Sequence, residues 1–175
     1  MNKINLELKH FCQDFAKVRE VLEQIGAHKE IVKNQKDYFF FLPAENGGQQ
    51  PRLKLRIENA QKTLVYYERP SFVSGAVTPA LVKLYSVGDD MLLPFLEQCL
   101  GTRAIVEKTR EVWRKGDAVF HLDTVKDVGQ IFEVELQKEE IVEEDRLEFQ
   151  NYQRALLPFL GQVIEGSNVD LVSAR

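Results

Sequence analysis

Charged and aliphatic residues alternate along several stretches of this chain, most clearly along Arg52-Leu53-Lys54-Leu55-Arg56. Successive side chains of a β-strand point to opposite faces, so Arg52, Lys54 and Arg56 share one face and the leucines share the other. For a strand taken alone, this pattern is typical of an antiparallel sheet with one face open to water. Three cations on one face also repel one another, and strands elsewhere in the chain with the same alternation favour a face that gathers anions.

Two further stretches show the same alternation with carboxylates in place of some cations. They are Asn5-Leu6-Glu7-Leu8-Lys9 and Phe132-Glu133-Val134-Glu135-Leu136. If the charged faces of these strands and of the basic strand meet, they form a concave site that contains both signs of charge. Such a site suits a polyphosphate together with metal ions.

Helical spacing and turn residues divide the rest of the chain into short elements. Asp14 caps a first helix, in which Val18, Val21 and Leu22 recur at helical spacing before Gly26 ends it. Further helices are predicted from Asp89 or Asp90 to Gly101 and from the acidic run at 139–145 to about Gly161. Strands are predicted at 3–9, 27–33, 37–42, 52–58, 63–69, 80–86, 102–114, 118–125 and 129–138, with loops at 43–51 and 70–79.

These elements predict a single α+β domain over residues 1–175, because 175 residues suffice for one domain with a real core. About eight antiparallel strands is also the size at which a closed sheet leaves room for one small ligand. We therefore expect a closed antiparallel β-barrel, with the charged faces inside and the helices packed outside.

Composition narrows the class of protein. Hydrophobic residues make up 44% and charged residues 29% of the chain, and no apolar run approaches the length that spans a bilayer. The N-terminus does not have the layout of a signal peptide. Cys12 and Cys99 are too few for a disulfide scaffold and are not spaced as in a metal-binding motif. We therefore expect a cytoplasmic location. A net charge of −4 argues against nucleic acid as a partner, and nothing indicates a membrane.

Several segments, taken in their order along the chain, resemble the CYTH family. These are the triphosphate tunnel metalloenzymes, which include class IV adenylyl cyclases and thiamine triphosphatases. Residues 5–9 are similar to the family's E-x-E-x-K signature, with Asn5 in place of its first glutamate. The segments that follow in the family's order are the basic L-K-L-R strand, Tyr66 to Pro70, Val106 to Arg110, His121 to Asp123, and Phe132 to Leu136. Tyr66 to Pro70 and Val106 to Arg110 most resemble the class IV adenylyl cyclase-like branch.

The resemblance implies a tunnel that holds a triphosphate through Lys and Arg and holds Mg²⁺ or Mn²⁺ through acidic residues. The implied metal ligands are Glu7, Asp123, Glu133 and Glu135. The implied phosphate-binding residues are Lys9, Arg52, Lys54, Arg56, Lys108 and Arg110. The implied catalytic residues are Glu7, Lys9 and Glu135. His121 shares a strand face with Asp123 and so can orient it.

Three functions fit these residues. A class IV adenylyl cyclase-like enzyme would convert ATP to 3′,5′-cyclic AMP and pyrophosphate. A thiamine triphosphatase-like enzyme would hydrolyse an inorganic or organic triphosphate instead. The third function is a non-catalytic barrel that binds polyphosphate, which Asn5 favours because an amide coordinates a divalent cation more weakly than a carboxylate. In each case the partner is a small-molecule triphosphate, and a homodimer is compatible with the sequence.

Overall fold

Nine antiparallel strands and four helices form the chain in the computed structural model, which describes residues 4–42, 50–69 and 81–173. The strands are β1 Ile4–Cys12, β2 His28–Phe40, β3 Gln50–Glu58, β4 Gln61–Arg69, β5 Leu81–Val87, β6 Thr102–Lys115, β7 Ala118–Val125, β8 Gly129–Lys138 and β9 Leu160–Val163. The helices are α1 Phe15–Gln24, α2 Leu92–Leu100, α3 Glu143–Leu156 and α4 Asn168–Ser173. The α+β class is therefore confirmed.

The sheet is open, and the prediction of a closed barrel is wrong. Its strand order is β5-β4-β3-β2-β6-β7-β8-β1-β9, so β5 and β9 are its two edges. The sheet nevertheless curves strongly, because Lys9 of β1 and Val82 of β5 line the same cavity. Ser167 and Asn168 also line that cavity. The C-terminal segment thus lies on the concave side, and among the described residues the curved sheet lacks the strand pairing that closure requires.

The convex face of the sheet carries the larger hydrophobic core. Alternating residues of β1, β7 and β8 pack there against the apolar faces of α1 and α3. Phe120, Leu22 and Leu156 are fully buried in this layer, and the Tyr152 ring meets Phe120 edge-on at 5.2 Å. This packing confirms that α1 and α3 cover the outside of the sheet, as the sequence predicts.

A smaller core lies on the concave face. Ile164 and Val169, which belong to the C-terminal segment, pack there with Val106, Val125 and Ile131. Each of these five residues has an exposed fraction of 2% or less. The prediction that all helices pack outside is therefore wrong for α4, whose apolar residues fill one part of the concave side.

Several predicted boundaries change in the structure. The segments predicted at 27–33 and 37–42 form one continuous strand, β2, because β6 pairs with it along nearly its whole length. The last helix ends at Leu156, after which a 3₁₀ turn leads into β9. Of the predicted loops, residues 43–49 and 70–79 lie outside the described residues, and Gln50 and Pro51 begin β3.

The predicted turn at Gly116-Asp117 is confirmed between β6 and β7. Gly116 has a φ of 54°, a left-handed conformation that glycine adopts without a steric penalty. Such turns match the twist of the strands that they connect and fix the pairing between them. In the described part of the chain, none of the helices is both long and apolar enough to cross a membrane.

Candidate active site

A cavity of about 310 Å³ opens on the concave face of the sheet, and strands β1 to β8 each contribute to its wall. Its charged lining residues are Lys9, Asp37, Lys54, Arg56, Lys108, Arg110, Glu133 and Glu135. Phe39, Val65, Tyr67 and Val106 supply apolar parts of the wall. The charged faces that the sequence predicts thus converge in one place, although around an open sheet.

Strand register explains which charges face each other. Lys9 lies opposite Glu133, and Glu133 lies opposite His121, so these residues form a row across β1, β8 and β7. In the same way, Arg110 lies opposite Asp123 on the neighbouring pair of strands. Directly opposite side chains on one face are close enough to interact, so the register builds ion pairs into the sheet.

The first ion cluster is centred on Asp37, which lies directly opposite Arg56. One carboxylate oxygen accepts a hydrogen bond from Nζ of Lys54 at 2.7 Å. Arg56 donates from Nε and Nη2 at 2.7 and 2.8 Å. Asp37 is only 3% exposed, so its charge acts on these two cations with little screening by water.

Asp123 forms the centre of a second cluster. Lys108 Nζ lies 2.7 Å from its Oδ2, and Arg110 donates from Nε to Oδ1 at 2.6 Å and from Nη2 to Oδ2 at 2.7 Å. Asn168, at the start of α4, also donates to Oδ2 at 3.4 Å. Asp123 is completely buried. It therefore positions two cations from behind the cavity wall.

Glu133 connects this second cluster to β1. Its Oε2 accepts a hydrogen bond from Arg110 Nη2 at 3.0 Å, and its Oε1 lies 3.5 Å from Lys9 Nζ. His121 Nδ1 lies 3.5 Å from the same carboxylate. A single guanidinium therefore bridges Asp123 and Glu133, and it fixes their relative positions.

The buried carboxylates stay ionised because of these cations. Burial alone would raise the pKa of Asp37, but Lys54 and Arg56 hold it well below its ordinary value. Burial would likewise raise the pKa of Asp123, and Lys108 and Arg110 lower it. The pKa of Glu133 is also well below normal, since Lys9, His121 and Arg110 outweigh its burial.

Two of the three lysines that line the cavity, Lys54 and Lys108, show the opposite balance. Burial lowers the pKa of Lys54 to about 7, and neighbouring Arg56 adds to that effect against the attraction of Asp37. Burial and the charge of Arg110 lower the pKa of Lys108 to about 8. Both ammonium groups therefore lose protons near neutral pH, and an added anion would raise the pKa of each.

Three side chains in this cavity lie close enough together to hold a metal ion. The ligand atoms of His121, Glu133 and Glu135 all lie within 4.8 Å of one another. Glu7 lies directly opposite Glu135 in the strand register, and it is buried. Carboxylate oxygens suit hard divalent cations, and an imidazole can complete such a set. Asp123, an expected ligand, lies outside this group and is engaged by Lys108 and Arg110.

Most of the site residues predicted from sequence lie on the cavity wall. Those that do are Lys9, Lys54, Arg56, Lys108, Arg110, Glu133 and Glu135. Arg52 does not line it, because Nη2 of Arg52 binds both oxygens of Asp170 at 2.9 and 3.0 Å. The side chain of Asn5 lies outside the described residues, although its backbone is opposite Gln137.

Sequence reasoning missed Asp37 and Asn168. Asp37 begins an aromatic run that predicts core, yet its alternation with Gln35 and Phe39 would have placed it on one face of β2. Nothing in the sequence of the C-terminal tail indicates that Asn168 reaches the cavity, because that contact depends on how the segment folds over the sheet. Its Oδ1 is buried and has no hydrogen-bond partner among the described residues.

The antiparallel sheet curves around a cavity that cations from several strands line together with neighbouring carboxylates. The CYTH domain family model matches residues 3–163. This chain belongs to the CYTH family, as the order of the motifs along its sequence predicts.

Solved structures share the same fold. A protein of Pyrococcus horikoshii OT3 is 19% identical with a TM-score of 0.76, over 96% of this chain and 99% of that chain. A candidate adenylate cyclase from Vibrio parahaemolyticus is 15% identical with a TM-score of 0.69, over 98% of both chains. A candidate adenylyl cyclase from Hippeastrum, described as having a dominant triphosphatase activity, is 14% identical with a TM-score of 0.64, over 98% and 94%. A comparison with curated protein sequences finds no match.

Proposed function

We propose that this chain is a metal-dependent enzyme that acts on a nucleoside or organic triphosphate bound in the cavity. The observation that carries the proposal is that a three-residue metal-ligand group lies in the same cavity as five cationic side chains. A phosphate chain requires several fixed cations, and its reaction requires a metal ion near the phosphorus that is attacked.

Charge balance explains why the metal would be needed for binding as well as for chemistry. The five cations are Lys9, Lys54, Arg56, Lys108 and Arg110. Five carboxyl groups lie among or behind them, namely Glu7, Asp37, Asp123, Glu133 and Glu135. The free site therefore has little net positive charge to attract a triphosphate. A divalent cation that binds with the ligand supplies the missing charge.

Arg56 and Arg110 are the strongest phosphate-binding candidates. Each uses two nitrogens for a buried aspartate, which fixes the plane of the guanidinium before a ligand arrives. A guanidinium carries five N–H donors, so donors remain for phosphate oxygens. Lys54 and Lys108 add point charges, and a bound phosphate would keep both protonated.

His121, Glu133 and Glu135 would hold Mg²⁺ or Mn²⁺, with Glu7 beside Glu135. The metal ion would polarise a phosphoryl oxygen and offset the charge that develops as the bond breaks. The role of the chain is to position that ion through β7 and β8, and to keep Glu133 ionised through Lys9 and Arg110. This arrangement supports charge stabilisation rather than covalent catalysis.

Within this class we assign adenylyl cyclase chemistry to the chain, on the resemblance carried by Tyr66 to Pro70 and Val106 to Arg110. In that reaction the ribose 3′-hydroxyl attacks the α-phosphorus and pyrophosphate leaves. The Vibrio parahaemolyticus relative, a candidate adenylate cyclase, supports this assignment. The Hippeastrum relative, with its dominant triphosphatase activity, favours the second candidate function, in which water attacks the γ-phosphorus.

Product analysis separates these functions. The purified protein is incubated with ATP, thiamine triphosphate and inorganic tripolyphosphate, each with Mg²⁺ or Mn²⁺. Cyclic AMP with pyrophosphate supports the cyclase, and ADP with orthophosphate supports the triphosphatase. Asn5→Glu serves as a paired variant, because restoring the signature carboxylate would lower the metal concentration required. If no triphosphate is turned over by either protein, the enzyme proposal fails and the binding function replaces it.

A further inference from the structure

The cavity on the concave face has an apolar side as well as a charged one. Its apolar side is built by β4 and β5, where Val65 lies directly opposite Leu84 and Tyr67 lies directly opposite Val82. Directly opposite residues of antiparallel strands share one face of the sheet, and all four side chains line this cavity. We call these four residues the apolar block.

Two members of the apolar block are not covered by the protein. Val82 is 50% exposed and Leu84 is 69% exposed, although the alternation along β5 turns both towards the cavity. Val65 is buried, and Tyr67 packs against the smaller, concave core, so these two form a fixed base for the block. Exposed aliphatic side chains are stabilised when another apolar surface covers them, so they indicate a ligand that has an apolar part.

Lys54 joins the apolar block to the cations assigned to phosphate. It lies directly opposite Val65 in the register of β3 and β4. Its Nζ lies 2.7 Å from Oδ2 of Asp37 and 6.0 Å from the centre of the Tyr67 ring. A phosphate that contacts Lys54 would therefore bring the group attached to it to the edge of the apolar block.

The dimensions of the apolar block suit a ring. Neighbouring strands of a sheet lie about 4.8 Å apart, and alternate residues of one strand lie about 7 Å apart. Two residues from each of two neighbouring strands therefore cover a patch about as large as one ring system. The aromatic side chain of Tyr67 can also stack on a flat ring, which a flexible aliphatic group could not match.

We infer that the apolar block binds the organic group of the triphosphate, and that this group contains a flat ring. The inference rests on the proposed function, because it takes the phosphates to lie against Lys54 and the neighbouring cations. An inorganic tripolyphosphate is charged along its whole length, so it would leave Val82 and Leu84 exposed to water. The substrate class is accordingly an organic triphosphate with a ring, and ATP and thiamine triphosphate both have this chemistry.

Variants of two adjacent residues of β5 test the assignment. Leu84→Gln removes apolar surface from the block. Tyr85→Gln is the matched control, because Tyr85 is also 69% exposed but does not line the cavity. Dissociation constants for ATP, thiamine triphosphate and tripolyphosphate are measured with Mg²⁺ present. Leu84→Gln should weaken binding of the preferred organic triphosphate roughly 3- to 10-fold and leave tripolyphosphate binding unchanged. Tyr85→Gln should change none of the three constants.

Ligands without a ring provide a test on the wild-type chain alone, which holds even if a variant folds poorly. Ribose 5-triphosphate is ATP without its base, and ethyl triphosphate serves as the ringless partner of thiamine triphosphate. At least one ring-bearing ligand should bind roughly 3- to 10-fold more tightly than its ringless partner, and Leu84→Gln should reduce that ratio. A preference shown only by ATP identifies a nucleoside triphosphate, and one shown only by thiamine triphosphate identifies that ligand. Equal binding within both pairs overturns the inference.

The outcomes also separate this inference from the function on which it rests. If tripolyphosphate binds and Leu84→Gln weakens all three ligands equally, or none of them, the organic group is not held at the apolar block and the cavity still binds phosphate. If none of these triphosphates binds the wild-type chain with Mg²⁺, the proposed function fails and the inference fails with it.

Discussion

Arg110 and Asp123 form a two-point ion pair, with Nε to Oδ1 at 2.6 Å and Nη2 to Oδ2 at 2.7 Å. The same Nη2 lies 3.0 Å from Oε2 of Glu133. A planar guanidinium can make these contacts together, whereas an ammonium acts from one point. Arg110 thus fixes the position of the Glu133 carboxylate, which we propose as a metal ligand, as well as its own.

Replacement of Arg110 by lysine tests this double role. Arg110→Lys keeps the charge but loses the two-point pair, and we expect the free energy of unfolding to fall by about 1–3 kcal/mol. Urea denaturation of the free protein measures this change. The control is Arg103→Lys, because Arg103 lies 3.8 Å from Asp170 and is more exposed. That variant should change stability by less than about 0.5 kcal/mol. Equal losses in the two variants would contradict the role given to Arg110.

Asp37 should be required for folding even without a ligand. Asp37→Asn leaves Lys54 and Arg56 buried without their counter-charge, so the free energy of unfolding should fall by about 3–5 kcal/mol at neutral pH. In the wild type the stabilisation from Asp37 is fully present above its unfolded pKa of about 4, and it is lost as the pH falls further. The two proteins should therefore converge in stability towards pH 2.

An exposed carboxylate provides the comparison for Asp37. Asp117 lies 3.2 Å from Lys138 and its side chain is 65% exposed. Asp117→Asn should cost less than about 1 kcal/mol at any pH. A loss from Asp37→Asn that is equally small would mean that water, and not Asp37, stabilises the two cations.

Stability of the free protein should rise as the pH increases from about 7 to about 10. The folded pKa of Lys54 is about 7, below its unfolded value, so the unfolded chain binds more protons across this range. The free energy of unfolding then increases with pH, by roughly 2–4 kcal/mol for this lysine. Lys54→Met should remove much of that increase. Lys36→Met, which removes a partly exposed lysine paired with Glu107, should retain it.

Glu133→Gln and Glu135→Gln should lower turnover more than triphosphate affinity. The metal ion that these residues would hold is needed most by the charge that develops in the transition state, so we expect turnover to fall about 10²-fold or more. Turnover and the dissociation constant for tripolyphosphate are measured at several Mn²⁺ concentrations. Glu140→Gln, which changes an exposed glutamate close to β8, should alter neither quantity.

Arg52 and Arg56 should contribute unequally to triphosphate binding. Arg56 lines the cavity, whereas Arg52 is held by Asp170 of α4 and does not line it. Arg56→Gln should therefore weaken tripolyphosphate binding by at least about tenfold, the effect of a charged hydrogen bond. Arg52→Gln should weaken it less. The reverse order would mean that Arg52 leaves Asp170 when the ligand binds.

The sequence predicts much of this site because the relevant information is local to each strand. A period of two is sufficient to place Lys54 with Arg56, and Lys108 with Arg110, on common faces. The presence of Asp37 between Lys54 and Arg56 could not be predicted in this way. It depends on the register between β2 and β3, which no pattern within either strand specifies.

Prediction from the sequence is wrong for the features that depend on the curvature of the whole sheet. Strand count suggests closure, but closure also needs tilt and stagger, which are properties of all the strands together. The placement of α4 on the concave face is a related case. Val169 looks like an ordinary apolar residue of the tail, and it becomes a core residue only because the curved sheet offers Val106 and Ile131 beside it.

The alternation along β6 limits how the length of this chain can change. Lys108 lines the cavity, and the adjacent residues Glu107 and Thr109 do not. One extra residue ahead of Lys108 would put this strand out of phase, so that its cations turned outwards and its neighbours turned inwards. The cationic wall of the cavity and the concave core would then be lost in one step. Homologues of this protein should therefore show insertions and deletions at turns such as residues 126–128. Within β6 they should show almost only substitutions.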